Sequence, residues 1–168
     1  SRPRPLSIYG KSKLLGEQLV LSNQNSLVVR VNFFGNNPRG KSVFDFFCAP
    51  EDPTVEKTGF TNYVTSSVFI ETLARNIHRI IDLSSQDRPR GILNLGSSDS
   101  MSKYEFGQFI TESLGLPSPR KGLFGAPFLV EGEEYNLSMD SSLAKEKGLI
   151  VPNMKSEIAL ALEARDGI

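Results

Sequence analysis

One cysteine, one histidine and no tryptophan occur in the 168 residues of this sequence. A lone thiol cannot close an internal disulfide, which fits a reducing compartment and makes the cytoplasm the expected location. That thiol, Cys48, lies in Phe46-Phe47-Cys48-Ala49-Pro50, where apolar neighbours predict a buried, inert side chain rather than a nucleophile. The histidine, His78, falls among Arg75, Asn76 and Arg79, and with no second histidine and one cysteine it does not complete a metal site. Neither sign of charge is in excess, since 19 basic residues balance 19 acidic ones. No stretch gathers Lys and Arg into a stripe, so neither nucleic acid nor an anionic membrane surface is an expected partner. The longest apolar stretch, Ser26 to Phe34, is interrupted by Arg30 and is too short to span a bilayer. Ser1-Arg2-Pro3-Arg4-Pro5 has no apolar run behind its positive charges and does not read as a signal peptide.

What is present suits one ordinary globular domain with a real core: 39% hydrophobic residues, 14 Gly and 10 Pro. From Tyr9 to Leu21 there is no proline, and Leu14, Leu15, Leu19 and Val20 recur at helical spacing. Leu27 to Phe34 is β-rich and bounded by Asn-Ser before it and Gly-Asn-Asn-Pro after it, which predicts a buried strand. Val43 to Phe47 reads as a short helix and Phe60 to Val64 as a short strand. From Ser67, Val68, Leu73, Ile77, Ile80 and Ile81 line a helical face up to Leu83. After the Pro89-Arg90-Gly91 turn, Ile92 to Leu95 is a strand, and Ser102-Lys103-Tyr104-Glu105 is a capping box opening a helix closed by Gly115 and Pro117. Asp140 is expected to cap a short helix ending at Lys147 and Gly148, with a last helix from Lys155 to Glu163. Apolar strands alternating with amphipathic helices predict a mixed α/β fold with a parallel sheet, whose functional loops gather at the carboxyl ends of the strands.

The residues that invite chemistry are in the first helix. Tyr9 and Lys13 are four apart, so on a helix they share a face about one turn apart. A free phenol is a poor acid-base catalyst at neutrality, whereas a neighbouring ammonium favours its phenolate and brings the proton affinity nearer working pH. A phenol tuned in that way can give a proton to a carbonyl oxygen as hydride reaches its carbon. On spacing alone a surface pair is the more frequent explanation, and Lys13 with Glu17 would make a weak helix ion pair. At the end of the strand, Arg30 and Asn32 face either a ligand or the sheet's own carbonyls. Arg88, Arg90, Arg120 and Lys121 are candidates for neutralising a diphosphate, although each taken singly reads as a solvated loop charge.

Pro5, Tyr9, Gly10, Ser12, Lys13 and Glu17 together resemble the active-site helix of extended short-chain dehydrogenase/reductases, most closely the dTDP-4-dehydrorhamnose reductase branch. Leu27 to Gly35 resembles the strand that follows that helix. Gly91 to Gly96 with Ser102 to Phe106, and Asn136 to Gly148, resemble later segments of the same branch. The resemblance implies the C-terminal part of a Rossmann-like parallel sheet with flanking helices and a small substrate-binding lobe. It assigns Tyr9 as catalytic acid/base, and Lys13 as the residue that tunes it and binds the nicotinamide ribose of NADP or NAD. Arg30 and Asn32 become substrate-binding candidates. The expected layout is a core from 1–35 and 67–115, a substrate lobe from 36–66 and 116–154, and a C-terminal helix from 155–168.

Two family features have no counterpart in the sequence: the glycine-rich phosphate loop, which Gly91 and Gly96 cannot replace, and the catalytic Ser or Thr upstream of the tyrosine. The expectation is a reductase of a nucleotide-linked keto-deoxysugar, NAD(P)H-dependent in its complete form. The 168 residues alone are expected to be inactive and poorly soluble, because the anion site at a helix N-terminus is missing and a strand edge is uncovered. A nucleotide-sugar epimerase or dehydratase is the alternative enzyme. A third reading is a non-catalytic regulatory subunit, since a reductase-like relative serves as the β subunit of methionine adenosyltransferase. The expected partners are a nucleotide sugar, a second copy of the chain in a homodimer and, under the regulatory reading, another enzyme.

Overall fold

The computed structural model describes all residues except 1, 2, 4, 51–54, 84–85, 128, 131 and 167–168. In chain order its elements are α1 (Ile8–Leu21), β1 (Leu27–Val31), β2 (Phe33–Phe34), α2 (Val43–Cys48), β3 (Thr58–Phe60), β4 (Tyr63–Thr65) and β5 (Val68–Phe69). They continue with α3 (Ile70–Asp82), β6 (Gly91–Leu95), β7 (Met101–Ser102), α4 (Lys103–Ser113), β8 (Arg120–Gly122), β9 (Tyr135–Leu137), α5 (Ser142–Glu146) and α6 (Met154–Asp166). The fold is mixed α/β with parallel strand pairing, as the alternation of strands and helices predicts.

β1 pairs parallel with β6, Leu27 opposite Gly91 and Val31 opposite Leu95. Parallel neighbours need a long crossover, and here it contains α3, whose Ile80 packs with Leu93 and Leu95 against Leu27 and Val29. The expected single strand from 27 to 34 is in fact two, because Asn32 changes the partner. Its backbone carbonyl accepts the Val68 N–H at 2.9 Å, and its side-chain amide donates to the Leu137 carbonyl at 3.1 Å. Beyond it, β2 pairs with β5 instead of β6. Val68 and Phe69 are thereby drawn out of the helix expected from Ser67, and α3 starts at Ile70.

The expected strand 60–64 also divides. Asn62 is buried, donates its amide to the carbonyls of Phe124 and Glu133 at 3.0 and 2.9 Å, and accepts the Phe124 N–H. A side chain that satisfies three backbone groups fixes a turn where periodicity suggests extended chain. The two resulting strands tie distant segments together. β3 pairs parallel with β8, and β4 pairs parallel with β9 and antiparallel with β7.

The main core gathers Phe34, Phe44, Phe47, Phe69, Phe106, Ile110, Met154 and Ile158. Phe34 meets Phe106 edge-on, with centroids 5.0 Å apart, the arrangement that the ring quadrupoles prefer. Cys48 is buried in the same cluster, and burial pushes its thiol up to about 11, which agrees with the inert role read from its neighbours. α2 lies against α4 where Gly107 leaves room, since a Cβ there would fall 2.4 Å from Phe47 Cε1 and 2.6 Å from Cζ. Gly107→Ala is therefore expected to destabilise the fold by about 1–3 kcal/mol through overpacking, despite the roughly 1 kcal/mol helix preference for Ala. Urea unfolding measures this. A variant as stable as the parent would mean that α2 shifts freely.

Candidate active-site helix and ring-lined cavity

Helix α1 begins where Ser7 Oγ accepts the Gly10 N–H at 3.0 Å, leaving Tyr9 and Lys13 one turn apart on a face open to solvent. The Lys13 ammonium stands 5.3 Å from the Tyr9 ring centroid, and Tyr9 is 71% exposed. Lys13 also borders a shallow cavity of about 250 Å³ with Pro3, Pro5, Gly10, Leu14, Glu17 and Arg30. The expected Lys13–Glu17 pair is replaced by a longer-range one. Glu17 reaches across to β1 and takes Arg30 in a two-pronged ion pair, Nε to Oε1 at 2.9 Å and Nη2 to Oε2 at 2.6 Å. This bond raises the Arg30 pKa above its ordinary value against the opposing effect of burial. Both substrate-binding candidates are thus engaged within the chain, Arg30 by Glu17 and Asn32 by the Leu137 carbonyl. The helix carries no buried residue, and Leu15, Leu19 and Val20, which recur at helical spacing, are exposed.

A second feature lies mostly in the segments expected to form the substrate lobe, with one wall from α4 of the expected core. A cavity of about 440 Å³ is lined by Val43, Phe46 and Phe47 of α2, Thr58 and Phe60 of β3, Tyr63 of β4, Lys103 of α4, and by Glu56 and Phe124. Its rings interlock: Phe124 lies 5.7 Å from Phe60 and 4.9 Å from Tyr63, and Tyr135 stacks behind it at 5.6 Å. Burial raises the Tyr63 phenol, with Tyr135 adding to the effect, and burial lowers the Lys103 ammonium. An apolar, ring-walled concavity with a few polar groups is the ordinary form of a small-molecule site. Sequence reading misses it because its walls, from Val43 to Phe124, are far apart in the chain and share no period. The only local trace is a lysine at the first position of a well-capped helix.

The other candidates are accounted for locally. Arg88 donates to the carbonyls of Ile81 and Leu83, Arg120 pairs with Glu56 at 2.5 Å, and Lys121 lies over the Tyr104 ring. His78 is exposed and meets Asp82 at 2.9 Å. Among the described residues no cluster of three His, Cys, Asp or Glu side chains is placed to hold a metal, and no helix is long and apolar enough to cross a membrane.

Comparison with known proteins sets these features in a family. The chain is 28% identical over 114 residues to the spore coat polysaccharide biosynthesis protein SpsK of Bacillus subtilis (strain 168), covering 67% of this chain and 38% of that one. It superposes on a hypothetical dTDP-4-dehydrorhamnose reductase from Sulfolobus tokodaii with a TM-score of 0.69 at 25% identity, over 87% of this chain and 50% of that one. On the Bordetella bronchiseptica enzyme WbmG, solved with NAD and UDP, the TM-score is 0.76 at 19% identity, over 99% of this chain and 52% of that one. The chain thus spans about half the length of these solved relatives, and at the lower identity the likeness is one of fold alone. The family model for the RmlD substrate binding domain matches residues 1–123, from the Tyr9 helix through β8, and the chain belongs to that family.

Proposed function

We propose that this chain is the part of a nucleotide-sugar reductase that supplies the acid/base pair and the substrate lobe. The observation that carries the reading is the Tyr9–Lys13 pair on one open helix face, within the family match and in the sequence pattern of a reductase active-site helix. Tyr9 would hold a proton at its phenolic oxygen and deliver it to the oxygen of a keto group, where negative charge develops. Lys13, adjoining the ring, would stabilise the phenolate left behind and offer donors to a ribose hydroxyl. These groups fit the nicotinamide-ribose end of NADP or NAD, and when bound that cofactor would supply the hydride. For its pyrophosphate, no glycine-rich turn at a helix N-terminus follows a strand among the described residues. Cofactor binding is therefore assigned to a longer protein.

Residues 36–66 and 116–154 form the substrate lobe in this reading, and the ring-lined cavity receives the nucleotide. The cavity's volume and aromatic walls support that assignment. The remaining core would comprise 1–35 and 67–115, with 155–168 as the C-terminal helix.

The test compares the 168-residue chain with the product of the complete gene, supplying NADPH or NADH and a dTDP-4-keto-6-deoxysugar. Stoichiometric cofactor oxidation by the complete product, with neither turnover nor micromolar cofactor binding by the short chain, is the expected result. Turnover with no net cofactor consumption would make the protein an epimerase or dehydratase. Absence of turnover, with co-purification of another enzyme, would favour the regulatory role.

A further inference from the structure

Lys103 is the least provided-for charge in the ring-lined cavity. It opens α4 directly after the capping box, half-buried, with its Nζ 5.5 Å from the ring centroids of both Tyr63 and Phe106. Among the described residues no carboxylate pairs with it. The neighbouring charges are occupied elsewhere: Glu56 is held by Arg120, and Lys57 donates to the Phe47 and Ala49 carbonyls. Removing an ammonium from water without a hydrogen-bonding anion is costly, and the faces of two rings recover only part of the loss. A ligand oxygen entering the cavity would gain a charge-assisted hydrogen bond, strengthened by the positive end of α4.

We propose that Lys103 determines which ligand this cavity accepts, by donating to a ring-edge carbonyl oxygen of a planar base lodged among Phe46, Phe60, Tyr63 and Phe124. The aromatic walls take the ring, and Lys103 reads its edge. A pyrimidine-2,4-dione, with two edge carbonyls, is thereby preferred over cytosine, where an amino donor replaces one of them. A phosphate oxygen is the other acceptor that a nucleotide offers. The shape of the site favours the ring edge, because Lys103 is surrounded by the aromatic walls rather than by other cations.

The inference rests on the cavity being the nucleotide site, and calorimetric titration separates the two ideas. The complete gene product, checked for native circular dichroism, is titrated with uridine 5′-monophosphate, cytidine 5′-monophosphate and ribose 5-phosphate, beside K103M and K103Q. K103M keeps the apolar stem, and K103Q keeps an uncharged donor should K103M fail to fold. The expected result is a uridine preference in the parent, a roughly tenfold loss of uridine binding in K103M with a smaller loss in K103Q, and little change for ribose 5-phosphate. Uridine binding undiminished in both variants would overturn the role of Lys103 while leaving the cavity as the nucleotide site. Equal losses for uridine 5′-monophosphate and ribose 5-phosphate would move the contact to the phosphate and overturn ring-edge reading. No binding of either nucleotide by the folded parent would overturn the nucleotide site and the inference together.

Discussion

Phenylalanine at position 9 is expected to lower turnover of the keto sugar by about 10²- to 10⁴-fold in the complete gene product, the range that a positioned acid or base commonly contributes. The effect belongs to kcat, because the hydroxyl is invoked only as charge develops on the substrate oxygen. The fold has no stake in that hydroxyl. Tyr9 is 71% exposed, and its ring meets Lys13, whose ammonium sits over the ring and would sit equally over phenylalanine. Thermal unfolding should therefore be unchanged within about 0.5 kcal/mol, as for most exposed substitutions. The pairing of a large kinetic loss with an intact fold is the diagnostic result. If Tyr9→Phe retained more than a tenth of the parental kcat, proton delivery would have to come from another group, and the assignment of α1 as the active-site helix would fail.

The parts of this structure that could be read in advance are those decided within a few residues. Ser102 and Glu105 close their reciprocal cap within four positions, and the observed bonds are those the pattern predicts. Gly115 and Gly148 follow their helices with positive φ, a conformation that glycine adopts without a Cβ penalty. Tyr9 and Lys13 share a face because helix geometry leaves no alternative at that spacing. What escapes reading is decided by contacts from afar. Asn32 ends one strand pairing because Val68 and Leu137 come to it, and Asn62 turns the chain because Phe124 and Glu133 do. Arg30 finds Glu17 across a helix-to-strand crossing, although Lys13 stands at the helical spacing for an ion pair. The ring-lined cavity is the extreme case, since Phe46, Phe60, Lys103 and Phe124 converge only after α2, β3 and α4 have packed.

The same lesson gives the largest stability effect. Phe69, the N-cap residue of helix α3, offers no side-chain cap, and Glu157, from α6 and 1% exposed, provides one. One carboxyl oxygen accepts the Phe69 N–H and the other accepts Thr72 Oγ1 at 2.9 Å, in the first turn where the helix dipole favours negative charge. Glu157→Ala would leave two buried donors unsatisfied and open a gap between α6 and α3. A loss of about 3 kcal/mol is expected, or roughly 6–12 °C in the unfolding midpoint for a chain of this size. Burial raises the Glu157 pKa above 4.5, with the bonds from Phe69 and Thr72 acting the other way. Because the folded chain then holds this proton more tightly than the unfolded one, the carboxyl's contribution to stability is greatest below the unfolded pKa. It falls as pH rises from there through the folded pKa. Glu157→Gln retains one acceptor and cannot titrate, so it should lose less than the alanine variant and remove that component of the pH slope. Urea unfolding of the three proteins between pH 4 and 8 measures both effects. If the alanine variant matched the parent within about 0.5 kcal/mol, water would be capping α3, and Glu157 would be incidental to how α6 is held against it.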